Sequence, residues 1–199
     1  MLKIVEELGD SNRFLSNLRF SPEMLEKIGG IVVVSGNIEY TLEQAFLALS
    51  EGQIKGKIPG TITGLIEEFR RLNSINPTKY NNVIEQWCDT APVYFNCRNS
   101  IFHGNAFPGG GEFIWFAKAL PIDGVKRKYN FSDFHADLHT LSLFLNAGTL
   151  LSRVITIVNL SLSKPMDYDE ATLMSAVQNA RSTCWELNDL ATAVNNEKY

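Results

Sequence analysis

Apolar residues recur along most of this chain at helical spacing, and the pattern predicts five helices and one β-hairpin. Ser21-Pro22-Glu23 reads as a helix start, because Ser caps free N–H groups and Pro suits the first helical position. From there Leu25, Ile28, Val32, Leu42, Ala45, Phe46 and Leu49 keep one phase up to Gly52. The stretch Gly30-Ile31-Val32-Val33-Val34-Ser35-Gly36 favours a strand by local propensity. The phase continues on both sides of it, so one long helix is the better reading. A breaker-rich connector follows, then a second helix from Thr61 or Thr63. It turns Leu65, Ile66, Phe69 and Leu72 inward and Glu67, Glu68, Arg70 and Arg71 outward. A third helix is expected over residues 78–102, with Pro92 kinking or splitting it and Gly104 as its stop. Residues 112–119 and 125–131 read as the two strands of the hairpin. Ser132 or Asp133 then opens a fourth helix reaching about Leu162, with Phe134, Leu138, Leu141, Leu145 and Ile155 on its core face. A fifth runs from about Asp167 to Asn195.

The expected fold class is mainly α: a bundle of about five helices with a small β-hairpin inserted after the third. Residues 1–199 read as a single domain, its core at about 20–163 and a C-terminal helix within 165–199. The composition, 45% hydrophobic and 20% charged, supports a packed core rather than disorder. The net charge of −4 excludes a broadly basic nucleic-acid binder, so any RNA contact must be local. Lys126-Arg127-Lys128 is the compact basic run and the candidate RNA-binding segment, although a solvated strand edge is the simpler role. Cys88, Cys97 and Cys184 form no Cys-x-x-Cys pair, which argues against a disulfide framework or a zinc site. The first residues lack the apolar stretch of a signal peptide, and Ile31–Val34 is far too short to span a bilayer. A cytoplasmic protein without a membrane partner is expected.

Arg98-Asn99-Ser100-Ile101-Phe102-His103 carries the strongest chemical signal. Asn99 and His103 are four apart and share a helix face, and the long Arg98 side chain can reach the same region. Arginine binds phosphate through a planar, permanently charged fork, and histidine moves protons near neutral pH. Asparagine can orient either one, or a water. Together they suit phosphodiester chemistry. His135 and His139 are also four apart, but position 136 is Ala where a His-Glu-x-x-His metalloprotease needs Glu, and no third ligand is evident. No Gly-x-Ser-x-Gly elbow appears. Trp87, Trp115, Phe113 and Phe116 could stack on bases, but aromatics at such spacing belong more often to a core.

Arg-Asn-x-x-x-His at the end of a long helix resembles the signature of the HEPN superfamily. The stretch Gly60–Leu72 resembles the short helix that precedes the motif helix in many members, and the order of elements after His103-Gly104 is similar to that of HEPN proteins in bacterial defence and toxin systems. The resemblance covers roughly residues 20–160. It implies a helical homodimer with two motifs at its interface, and a metal-independent endoribonuclease without a cofactor. Arg98 would hold the scissile phosphate and His103 would serve proton transfer as the 2′-hydroxyl attacks, with Asn99 supporting. Many members place an acidic residue of the first long helix near the motif, which makes Glu39 and Glu43 supporting candidates. An antitoxin or regulatory protein is a possible partner. The same superfamily includes modules that bind RNA, a nucleotide or a partner protein without cleaving, which is the alternative reading.

Overall fold

The computed structural model describes residues 15, 17–50, 58–108, 113–117, 134–164 and 167–196. The chain order is α1 (Pro22–Leu49), α2 (Ile62–Ile75), α3 (Asn81–His103), β1 (Asn105–Pro108), β2 (Ile114–Ala117), β3 (Phe134–Ala136), α4 (Leu138–Ser163) and α5 (Glu170–Asn196). It is a mainly α bundle with a small antiparallel sheet, as the periodicity predicts.

α1 is one uninterrupted helix. Ser21 accepts a hydrogen bond from the Met24 amide at 3.2 Å, and Pro22 takes the first turn. The strand propensity of residues 31–34 is overridden because Ile31, Ser35, Ile38 and Leu42 form a face that is buried in the bundle. Gly30 lets α4 come close: a Cβ there would lie 3.1 Å from Leu145 Cδ2. α1 packs against α4 and α2, while α5 packs against α4 and α3. Leu173, Val177, Ala180, Cys184 and Leu187 of α5 are buried with the other helices, so the C-terminal helix belongs to the same core. α4 is long and apolar enough to cross a membrane by length and composition. Its Leu141, Phe144, Leu151, Val154, Ile155 and Val158 are instead buried in that core. No other described helix meets the same test.

Polar side chains pin the helices at fixed heights. Trp87 Nε1 donates to the Leu151 carbonyl at 2.9 Å, joining α3 to α4. The Tyr80 hydroxyl donates to the Tyr168 carbonyl at 3.2 Å and accepts from its amide at 2.9 Å, fixing the approach to α5. Asn73, fully buried, donates to Asn81 Oδ1 at 2.7 Å.

Of the kink or split expected at Pro92, the split does not occur: α3 runs continuously through it. Four expectations need correction. The segment 134–136, expected in the fourth helix, is β3; α4 begins at Leu138 behind Asp137, whose carboxylate accepts from the Thr140 amide at 2.6 Å. Leu138 itself is exposed rather than in the core. The hairpin is a three-stranded sheet of order β1-β2-β3, with Asn105 opposite Ala117 and Phe116 opposite Phe134. Of the two expected strands, β2 falls within 112–119, while 125–131 lies outside the described residues. Arg70 is not simply outward-facing: its guanidinium bridges Glu85 at 3.4 Å and Asp89 at 2.5 Å, fastening α2 to α3.

The sheet follows α3 with almost no linker. Gly104 closes the helix, its amide donating to the Ser100 carbonyl at 3.0 Å, and β1 starts one residue later. Ile114, Phe116, Phe134 and Ala136 alternate toward the core, as strand geometry requires. Trp115 and His135 stack on the other side, 5.9 Å between ring centroids and 15° between planes.

Candidate functional site

The final turns of α3 are anchored from beneath. Cys97, Ser100 and Ile101 are buried, and Ser100 Oγ donates to the Asn96 carbonyl at 3.2 Å. With those positions fixed, helical geometry turns Arg98, Asn99 and Phe102 to a half-buried flank and leaves His103 exposed on the last residue.

The Arg98 side chain is held on three sides. Its Nη2 lies 3.5 Å from Glu39 Oε1 of α1, and Nη1 donates to Asn99 Oδ1 at 3.0 Å. The guanidinium carbon sits 4.6 Å from the centroid of the Phe102 ring, one helical turn on. Arg98 Nε is buried and has no hydrogen-bond partner among the described residues. An exposed ion pair of this kind contributes about 0–1 kcal/mol, so the pair with Glu39 mainly orients the group. The ring contact adds a similar amount, roughly 0.5–1 kcal/mol at a partly solvated site. The result is a cation with fixed direction and an unused donor.

Arg98 and His103 do not meet. Five residues on a helix place them about 140° apart. Arg98 turns toward α1, His103 toward solvent, and no hydrogen bond or ion pair joins them among the described residues. Asn99 serves Arg98 directly. Of the two acidic candidates on α1, Glu39 is the partner of Arg98. Glu43, one turn further, shares with Glu39 a groove of about 350 Å³ whose walls include Gly36 and Tyr40 of α1, Thr61, which caps α2, and Leu65 of α2. Glu39 thus belongs both to the Arg98 site and to the groove.

Phe102 is a residue to which the sequence reading assigned no role. The signal was present: Arg98 and Phe102 are four apart, the spacing at which side chains stack along a helix. Lys126, Arg127 and Lys128 lie outside the described residues. His135 and His139 are not a helical pair, because His135 is in β3 and His139 in the first turn of α4. Among the described residues no group of three His, Cys, Asp or Glu side chains is placed to hold a metal ion. Of the aromatic stacking candidates, Trp87 and Phe116 are buried, Trp115 is half-buried against His135, and Phe113 is exposed.

The cysteines are free and buried. Burial pushes the Cys88 and Cys97 thiols up to about 12, and raises Cys184 further still. They stay protonated and are poor nucleophiles. Tyr94 is also pushed up to about 12 by burial, against the opposing effect of its hydrogen bond with Ser35 at 3.1 Å.

Comparison with family models, with curated proteins and with solved structures finds no match.

Proposed function

We propose that this chain is a metal-independent endoribonuclease of HEPN type that works as a homodimer, with Arg98, Asn99 and His103 as its working residues. The observation that carries the reading is the Arg98 guanidinium, fixed by Glu39, Asn99 and Phe102 with its Nε unused, five residues before an exposed histidine. A pre-oriented guanidinium suits a phosphodiester better than a mobile lysine does, because its fork matches two phosphate oxygens. Arg98 would bind the scissile phosphate and stabilise the charge that builds on it during attack. The ribose 2′-oxygen forms the new bond to phosphorus as its proton passes to His103, and the bond from phosphorus to the 5′-oxygen breaks. The products are a cyclic phosphate end and a 5′-hydroxyl, which takes its proton from water or from a protonated histidine. Asn99 keeps Arg98 in place. Bacterial defence or a toxin–antitoxin pair fits such an activity, with a regulatory protein as partner and the cytoplasm as its setting.

The test is cleavage of total RNA and of a labelled oligonucleotide in the presence of EDTA by wild type, Arg98→Ala and His103→Ala. Wild type should cleave, and each variant should lose about a hundredfold or more, the usual scale of acid–base catalysis. Unchanged cleavage by His103→Ala removes that residue from the mechanism.

One observation favours a second reading. Arg98 already has a carboxylate, an amide oxygen and a ring as neighbours. A non-catalytic dimer that holds RNA, a nucleotide or a partner protein would use the same arrangement as a binding contact. It predicts specific binding without cleavage under any pH or metal condition.

A further inference from the structure

The groove beside Arg98 is lined by groups of different kinds. Glu39 and Glu43 of α1 bring carboxylates, Tyr40 brings a ring, and Thr61 and Ile62 bring the start of α2. Its volume of about 350 Å³ falls within the range of small-ligand sites, roughly 300–1,000 Å³. Glu39 is already faced by Arg98 at 3.5 Å. Glu43 stands about 6 Å further along α1. It is half-buried and, among the described residues, makes no ion pair or side-chain hydrogen bond. The Ile62 amide opens α2 and has no acceptor within the helix. Tyr40 is 65% exposed, so its ring is uncovered. The groove therefore joins one uncompensated carboxylate, one backbone donor and one bare ring, beside a fixed guanidinium.

We propose that the groove reads the base of the nucleotide whose phosphate Arg98 holds, and that this base is guanine. The inference rests on the RNA reading of Arg98 and deepens it by naming the base. Single-stranded RNA is read by stacking bases on aromatic rings and by bonding their Watson–Crick edges. That edge of guanine presents two adjacent donors, N1–H and the 2-amino group, beside the acceptor O6. The Glu43 carboxylate accepts from both donors, the Ile62 amide donates to O6, and the Tyr40 ring covers the base. Adenine and cytosine each put an acceptor nitrogen next to their amino group, and uracil flanks its N3–H with two carbonyl oxygens. Each of these turns lone pairs toward the carboxylate.

Other occupants fit less well. A phosphate in the groove meets two carboxylates. A free cation meets Glu43 but also the guanidinium that compensates Glu39. A neutral base with paired donors avoids both penalties, while its phosphate stays at Arg98.

The test is fluorescence anisotropy with short, labelled, deoxyribose-substituted uridine oligonucleotides that carry one central guanosine, inosine or adenosine. Wild type should bind the guanosine probe about tenfold more tightly than the adenosine probe, the scale of a bidentate base contact. Inosine, which lacks the 2-amino group, should fall between them. Glu43→Gln should erase the preference at an unchanged melting temperature, because a glutamine oxygen beside its own amide donors cannot take both guanine protons. Tyr40→Ala should weaken all three probes about tenfold, the scale of one base stack, while Tyr40→Phe should not. Equal affinity for the three probes overturns the pocket, as does a guanine preference that survives Glu43→Gln, or failure to bind any probe. Cleavage of RNA in EDTA without regard to base sinks the pocket and leaves the nuclease standing. Guanine-selective binding without cleavage keeps the pocket and removes the nuclease.

Discussion

Arg98 Nη2 stands 3.5 Å from Glu39 Oε1, a contact that ties the last turns of α3 to the middle of α1. The carboxylate occupies one edge of a guanidinium whose Nε has no partner among the described residues. If a phosphate binds Arg98, Glu39 is both its guide and its competitor. Glu39→Gln keeps the size and an acceptor oxygen but removes the negative charge. Its stability should change by less than about 1 kcal/mol, since both partners are partly solvated. Its affinity for a non-cleavable deoxyribose-substituted RNA oligonucleotide should rise severalfold, measured by fluorescence anisotropy. Weaker binding would assign Glu39 to holding Arg98 in place rather than competing for it.

A second prediction concerns a close approach of α4 to α3. A Cβ on Gly148 would lie 2.5 Å from the Tyr94 hydroxyl oxygen and 2.7 Å from Cζ. Tyr94 cannot step aside. Its ring stacks on Phe144 at 4.6 Å and meets Phe95 edge-on at 5.4 Å, while its hydroxyl bonds Ser35. Gly148→Ala should cost about 1–3 kcal/mol by urea unfolding, the usual penalty of overpacking. Tyr94→Phe alone should cost about 1 kcal/mol for the lost buried hydrogen bond. In the double variant the alanine should cost less than it does in wild type, because the oxygen nearest the new methyl is gone. Strict additivity would mean that α4 shifts as a body instead.

The helical part of this fold is visible in the chain because each helix carries its own boundary and its own buried stripe. Ser21-Pro22 and Thr61 are caps that act locally, and Thr61 accepts from the Gly64 amide at 3.2 Å as such a cap should. The sheet is less visible. β1 is only Asn105–Pro108 and β3 only Phe134–Ala136, so neither is long enough to show alternation, and Asn and Pro are poor strand formers. Their pairing with β2 is set by contacts distant in sequence. Ser132 and Asp133 look like helix caps, but the acting cap is Asp137. At the site, Arg98, Asn99 and His103 could be picked out together, and the structure brings only the first two into contact. Glu39 and Glu43 are one turn apart on the same helix and indistinguishable by pattern. Only the fold, which brings Glu39 to 3.5 Å from Arg98, selects it.

Asp137 supports a prediction about acid. Burial raises its carboxyl, but hydrogen bonds from the Thr140 side chain and amide outweigh that and leave it lowered. A carboxylate lowered in the folded state contributes stability that is fully present above its unfolded value, about pH 4, and is lost as pH falls through the folded value. Asp137→Asn retains an acceptor for the Thr140 amide but does not titrate. Below about pH 4 its melting temperature should fall less steeply than that of wild type. At neutral pH Asp137→Ala should cost about 1 kcal/mol, as lost caps do. Parallel acid profiles for wild type and Asp137→Asn would show that the cap titration is unimportant to the fold.

Gly104 couples the motif to the sheet, and this makes a sharp test of how the site is held. A methyl group there would press on the Ser100 carbonyl oxygen and lie 3.2 Å from the Phe116 backbone. The backbone at 104 is extended, with φ −84° and ψ 150°, so alanine meets no torsional barrier and the conflict is purely steric. Neither neighbour can yield cheaply: one is the helix backbone beneath Ile101 and Phe102, the other the middle strand of the sheet. Gly104→Ala should therefore cost about 1–3 kcal/mol and displace the last turn of α3. Gly60→Ala, where a methyl group finds open space, should be near neutral and serves as the control. If the nuclease reading holds, Gly104→Ala should lower cleavage at a temperature where it remains folded, because Phe102 and His103 move with that turn. Retained stability with full cleavage would mean that the sheet gives way and the motif helix does not depend on it.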